Sequence, residues 1–300
     1  MYSFSTAKQL IALCRKHKMP ISEIAIRYEM EFAKKNRAEV MARMEKVKDV
    51  MVEATQKAIE NPEVSAFHMA GGDAPKLFKA MKKKKMIMPP IVLRAMAYAT
   101  ATGETNSAMG RIVAFPTAGG SGVVPGVVLS AAEEWKSSEE KVLRALFVAS
   151  AIGIIIAENA TLSAAAAGCQ AEVGAAIAMG TAAITELRGG TPEQCTNASA
   201  IALKSYLGVV CDPLGGLVAV PCIKRNMLGA ATAYAASDTS IAGIQSFIPF
   251  DEVVWAMRNI SKIMSPKLRE TALGGLAVTK TGLKIRKKLG LPTLKPTEID

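Results

Sequence analysis

The chain has very little histidine: two residues in 300, His17 and His68. They cannot form a metal site of their own, and no Ser-His-Asp arrangement can be built around them. His17 sits in a basic stretch and reads as solvated, while His68 leaves a base role open. Aromatic residues are also scarce, at 5%. The apolar half of the sequence is therefore mainly Ala, Val, Ile, Leu and Met, which suits closely packed helices with small residues at their contacts. Five cysteines are odd in number and too few for a disulfide scaffold, so free thiols in a reducing cytoplasm are expected. Residues 1–20 lack the apolar core of a secretory signal and carry Lys8, Arg15, Lys16 and Lys18. Also missing are a phosphate-binding Gly-Lys-Ser/Thr, a dinucleotide fingerprint and a lysine in a recognisable pyridoxal-phosphate setting.

Acidic residues are outnumbered by basic ones, 26 to 37, leaving a formal charge of +11. The excess gathers at Lys82 to Lys85 and at Lys284-Ile285-Arg286-Lys287-Lys288. No aromatics interleave with these runs and no nucleic-acid motif accompanies them, so they read as solvated faces or as a dock for an acidic partner. Nucleic acid is not expected. Two stretches test a membrane reading. Ile112 to Ala132 is uncharged, but Pro116, Pro125 and several glycines interrupt it. Ala145 to Thr185 holds Glu158 and Glu172 among many small polar residues, which fits a buried core better than a bilayer span.

No convincing period-2 strand appears, and Ala-rich segments favour helix, so the fold class is all-α. Expected helices are Thr6 to His17, Ser22 to Glu60 as one long or two abutting helices with Ser22 as a cap, Ile91–Thr100, Gly126–Lys136, Ser138–Ala160, Ala164–Leu187, Pro192–Leu207, Asn226–Ser237 and Phe250–Met264. Val40, Met44, Val47 and Met51 share one helical face and read as core.

Three cysteines carry the most chemistry: Cys169 in Gly168-Cys169-Gln170-Ala171-Glu172-Val173-Gly174, then Cys211 and Cys222. A Cys-x10-Cys pair with a third cysteine 42 residues upstream is not a standard zinc or cluster spacing. On spacing alone these are buried small hydrophobes. Three thiolates can also hold three irons of a [4Fe-4S] cluster and leave a fourth open as a Lewis acid. Cys14 and Cys195 read as incidental. Pro116-Thr117-Ala118-Gly119-Gly120-Ser121-Gly122 is a glycine-rich loop ahead of an apolar helix. Its N–H groups, with Thr117 and Ser121, could hold a carboxylate; the plainer reading is a tight turn between helices. Asp212 could cap the turn beginning at Pro213 or orient a cluster. Glu172, three residues after Cys169, would share its helix face; a carboxylate in so apolar a stretch is costly unless paired or used, and the same holds for Glu158 and Asn159.

Four blocks, in order, make the sequence resemble the alpha chain of the iron–sulfur-dependent L-serine dehydratases. They are Met109-Gly110-Arg111-Ile112-Val113-Ala114-Phe115-Pro116-Thr117-Ala118-Gly119-Gly120-Ser121-Gly122, the Cys169 block above, Cys211-Asp212-Pro213-Leu214-Gly215-Gly216-Leu217-Val218 with Pro221-Cys222, and Leu268-Arg269-Glu270-Thr271-Ala272-Leu273-Gly274-Gly275-Leu276-Ala277. The resemblance implies a single helical catalytic domain that converts L-serine to pyruvate and ammonia, with a [4Fe-4S] cluster on Cys169, Cys211 and Cys222. It favours the carboxylate role for the loop residues Thr117, Gly119, Gly120 and Ser121. The cost of a polar group in an apolar run adds Asn159 as a substrate contact, and Glu172, Asp212 and His68, in falling order, are the candidate bases, among which the sequence does not choose. The resemblance also implies a separate beta subunit, because single-chain relatives carry a second small domain not found here. Residues 1–20 are then an N-terminal helix, 21–283 the catalytic domain and 284–300 a mobile basic tail. A cysteine desulfidase with the same cluster, or a metal-stabilised scaffold without activity, are the alternatives.

Overall fold

The computed structural model describes residues 1–81, 83 and 85–294. Lys82 and Lys84 of the first basic run, and residues 295–300 of the expected tail, lie outside the described residues. Among the described residues every regular element is a helix, and the only β-type pairing is an isolated parallel bridge between Cys211 and Arg269.

The N-terminal half follows local signals closely. α1 (Ala7–His17) starts at Thr6, whose side chain accepts from the Gln9 N–H. Its first N–H groups, of Ala7 and Lys8, donate to Asp251 at 2.7 and 3.1 Å. The long stretch without Gly or Pro is two helices, α2 (Ile21–Ala33) and α3 (Arg37–Glu60). Lys34 turns left-handed between them, and Asn36 with Glu39 forms a capping box that restarts the helix. Ser22 is not the cap: Pro20 takes that position, and the Ser22 N–H donates to both oxygens of Glu186 at 3.2 Å. Val40 and Met51 are buried, with Met44 and Val47 packed against the core, as the helical stripe requires. Glu23 on α2 gathers Arg27, Arg37 and Arg144, binding α2 to α3 and to α7 (Glu139–Asn159). Burial opposes its ionisation, but the three guanidiniums hold its carboxyl below the usual range.

The core is built around α9 (Ala175–Leu187), which touches α6 (Val123–Glu134), α7 (Glu139–Asn159), α10 (Pro192–Lys204) and α11 (Cys222–Ile241). Every residue from Ala175 to Thr185 is buried. Five of these are alanines, which lets the neighbouring backbones approach closely. Fully buried Leu146, Ile152, Ile155, Ile156, Ile177 and Ile184 fill the remaining space, each worth about 1.5–3 kcal/mol relative to exposure. α7 is long and apolar enough to cross a bilayer, but 67% of its apolar window is buried by neighbouring helices. α5 (Pro90–Ser107) forms a second layer against α3, α4 (Asp73–Ala80), α6 and α11. α12 (Phe250–Ile263) closes the end near α1 and α10.

Two segments differ from the sequence expectation. Ala164–Leu187 is not one helix: α8 (Ala164–Ala167) stops at Gly168, and a π-helical turn, Gln170–Gly174, precedes α9. Gly168 has φ 73°, and a Cβ there would lie 2.8 Å from the Val209 carbonyl oxygen, so only glycine fits. The segment from Lys284, expected as part of a mobile tail, is helical as far as Lys288 in α13 (Lys280–Lys288). The Thr279 side chain caps it by accepting from the Gly282 N–H.

Candidate functional site: three thiols under a glycine-rich loop

The π turn places Cys169 at its mouth and projects Gln170 sideways. Gln170 is fully buried and works as a staple: its N–H donates to Val209 O at 3.0 Å, and its Oε1 accepts from Gly208 N at 2.9 Å. The segment entering Cys211 is thereby fixed beside Cys169. The parallel bridge fixes Cys211 from the other side, with Cys211 N donating to Leu268 O at 2.8 Å and Glu270 N donating to Cys211 O at 2.9 Å. Cys222 is the first residue of α11, after the cis Val220–Pro221 bond. All three cysteines are buried, and all five in the chain are free.

The thiols sense one another. Contact with the Cys211 thiol, and then the Arg225 guanidinium, draws Cys169 toward thiolate despite its burial. The same contact and burial hold Cys211 as a thiol. Cys222 is pushed up to about 12, by burial first and the charge at Cys169 second. Among the described residues no three His, Cys, Asp or Glu side chains stand close enough to share a single metal ion.

The glycine-rich loop lies against this group. Gly119 meets the Glu172 carboxylate so closely that a Cβ would fall 2.2 Å from Oε2, and Gly120 lies against the Glu172 backbone. Among the described residues the Gly119 and Gly120 N–H groups have no acceptor. Thr117 Oγ1 is buried beside Glu172 without a hydrogen bond of good geometry. Burial raises the Glu172 carboxyl above the usual carboxylate range; the Thr117 hydroxyl opposes the shift and the Glu270 charge reinforces it. The Ser121 hydroxyl donates to Ala118 O at 2.8 Å, inside its own loop.

Glu172 is therefore beside the cysteines, as expected, but on a π turn rather than on an α-helical face. Asp212 is buried, with both oxygens engaged: Oδ1 accepts from Arg225 Nη2 at 2.8 Å, and Oδ2 accepts from Leu276 N at 2.8 Å. It holds the start of the turn Gly275–Val278 rather than the turn after Pro213. Asn159 is not brought to the group. Its amide donates to Ser5 O at 2.6 Å and Ile155 O at 2.8 Å, at the end of α7. Glu158 and His68 are exposed, so the burial argument does not apply to Glu158.

Two further residues belong to the site. Asn226 is buried and clamps the glycine-rich loop: Nδ2 donates to Gly119 O at 2.6 Å and Oδ1 accepts from Gly122 N at 3.0 Å. Arg225 reaches the Cys169 sulfur at 3.4 Å. Both lie three and four residues past Cys222, the spacing that puts them on its helix face, and that was the signal available in the sequence.

Fold and site together define an all-helical protein with a buried three-thiol cradle roofed by a glycine-rich loop. The sequence family described as serine dehydratase alpha chain matches residues 16–277. The probable L-serine dehydratase alpha chain of Bacillus subtilis is 46% identical over 286 residues, 95% of each chain. The L-serine dehydratase alpha chain of Peptoniphilus asaccharolyticus is 38% identical over 283 residues, 94% of this chain and 97% of that one. The L-serine dehydratase of Streptomyces coelicolor is 36% identical over 284 residues, but these make up 61% of its length. The chain belongs to the serine dehydratase alpha chain family.

Proposed function

We propose that the chain is the alpha subunit of an L-serine dehydratase, a cytoplasmic enzyme that removes water from L-serine to give pyruvate and ammonia. The observation that carries this reading is the convergence of three buried thiols, a desolvated Glu172 carboxyl and unpaired loop donors in one place. The names of the relatives supply the substrate, and the words alpha chain in the Bacillus and Peptoniphilus names support a separate beta subunit.

The donor set fits a [4Fe-4S] cluster: soft thiol ligands from three segments, buried, with a cationic guanidinium beside one sulfur. Cys169, Cys211 and Cys222 would hold it. When bound, the cluster supplies an open iron as a Lewis acid for the departing β-hydroxyl. The chain's own groups do the rest. The Gly119 and Gly120 N–H groups and Thr117 Oγ1 take the substrate carboxylate, which answers their lack of partners. The Glu172 carboxylate accepts the Cα proton; a base raised toward neutrality removes such a proton better than an ordinary carboxylate. The aminoacrylate that remains tautomerises to an imine, and water converts that to pyruvate and ammonia. Asp212 positions rather than reacts, since its oxygens are engaged. Ser121 shapes the loop.

Anaerobic purification with iron and sulfide quantified, followed by pyruvate formation from L-serine with and without the beta chain, tests the proposal. The expected result is about four irons per chain and serine-dependent pyruvate. Sulfide and pyruvate from L-cysteine, with no pyruvate from L-serine, would move the assignment to a desulfidase. No iron under anaerobic handling would remove the cluster.

A further inference from the structure

Arg225 is half-buried beside the three thiols, yet no proton or substrate step needs it. Its guanidinium joins three segments. Nη1 donates to Val210 O at 2.7 Å and lies 3.4 Å from Cys169 Sγ. Nη2 donates to Asp212 Oδ1 at 2.8 Å, and Asp212 Oδ2 in turn accepts from Leu276 N at 2.8 Å. One side chain thus grips the Cys169 sulfur, the Val210 carbonyl before Cys211, the Asp212 side chain after it and, through Asp212, the turn Gly275–Val278. It does so from the same helical turn that carries Cys222. An ion pair with Asp212 alone would need only a point charge. The observed set uses the planar fork that arginine has and lysine lacks.

We propose that Arg225 is a positioning residue for the cluster: it sets the spread of the three thiols and keeps a cationic donor on the Cys169 sulfur. This inference rests on the cluster reading given above. Three thiolates bring three negative charges into a buried site, and an adjacent guanidinium offsets part of that cost. Hydrogen bonds and charge at ligand sulfurs also set cluster potential. Loss of Arg225 therefore loosens iron retention and makes the cluster harder to reduce.

The test compares wild type, Arg225→Met and Arg225→Lys after anaerobic reconstitution with iron and sulfide. The readouts are irons per chain, the rate of iron loss to a ferrous chelator and the midpoint potential. Arg225→Met is expected to lose iron about 10–100-fold faster and to shift the potential negative. Arg225→Lys, which keeps charge without the fork, is expected to lose iron faster while its potential stays nearer wild type. A merely structural role would change iron loss without moving the potential, and that outcome overturns the inference. So do wild-type values for both variants. If Arg225→Met does not fold, Arg225→Lys with wild-type iron retention overturns it. A wild-type chain that binds no iron removes the function reading itself, which separates that failure from this one.

Discussion

Glu172 shows how one residue acquires a chemical role from its surroundings. Its carboxylate is pressed between an apolar helix start and a glycine whose missing side chain makes the contact possible. Desolvation disfavours the charged form, so protonation persists to higher pH than for an exposed glutamate. A base must be ionised to accept a proton. Activity should therefore rise with pH through a limb displaced above the ordinary carboxylate range and fall as pH drops below it. Glu172→Gln should lower kcat by about 10²–10⁴-fold while iron content stays at the wild-type level. The pH profile of kcat/KM and an iron assay check both points. Unchanged activity in the variant would move the base elsewhere.

At the scale of elements, α11 organises the site from its first turn, with Cys222, Arg225 and Asn226 on one face. Asn226 is the tie between that turn and the glycine-rich loop, and it is buried with its amide oxygen and nitrogen both engaged. Asn226→Ala should lower unfolding free energy by about 1–3 kcal/mol, because Gly122 N and Gly119 O lose a buried partner. Denaturant unfolding of the apo chain measures this, and a change well under that range would mean the loop holds itself. The helices were largely legible in the sequence, since punctuation by Pro, Gly and Asn falls at most of their ends. The break at Gly168 was not, because an Ala-rich run carries no local mark of a π turn. The cysteines and Glu172 were legible through the blocks around them. Asn159 stands apart from the other candidates: a polar residue in an apolar run suggests function, but its amide satisfies carbonyls where α7 ends. For Arg225 the sequence offers only its place three residues past Cys222; a basic residue in a helix usually faces solvent, and the fold shows Asp212 and Val210 arriving beside it.

At the scale of the whole molecule, the site joins segments spread over more than half of the chain, from Gly119 to Leu276, with helices on every side. On the cluster reading, an iron that serine can reach is also one that oxygen can reach. Exposure of the reconstituted protein to air should bleach its visible absorbance and abolish activity at the same rate, with the fold retained. Activity that outlives the absorbance would show that the cluster is structural. The parallel pairing of Cys211 with Arg269 has a consequence for how the protein is made. A nascent chain that has already produced all three site cysteines still lacks residues 268–270, which fix Cys211, and Leu276, which engages Asp212. The cradle is therefore finished only once Leu276 has been added, so on the cluster reading iron and sulfide are taken up after that step rather than as each cysteine emerges.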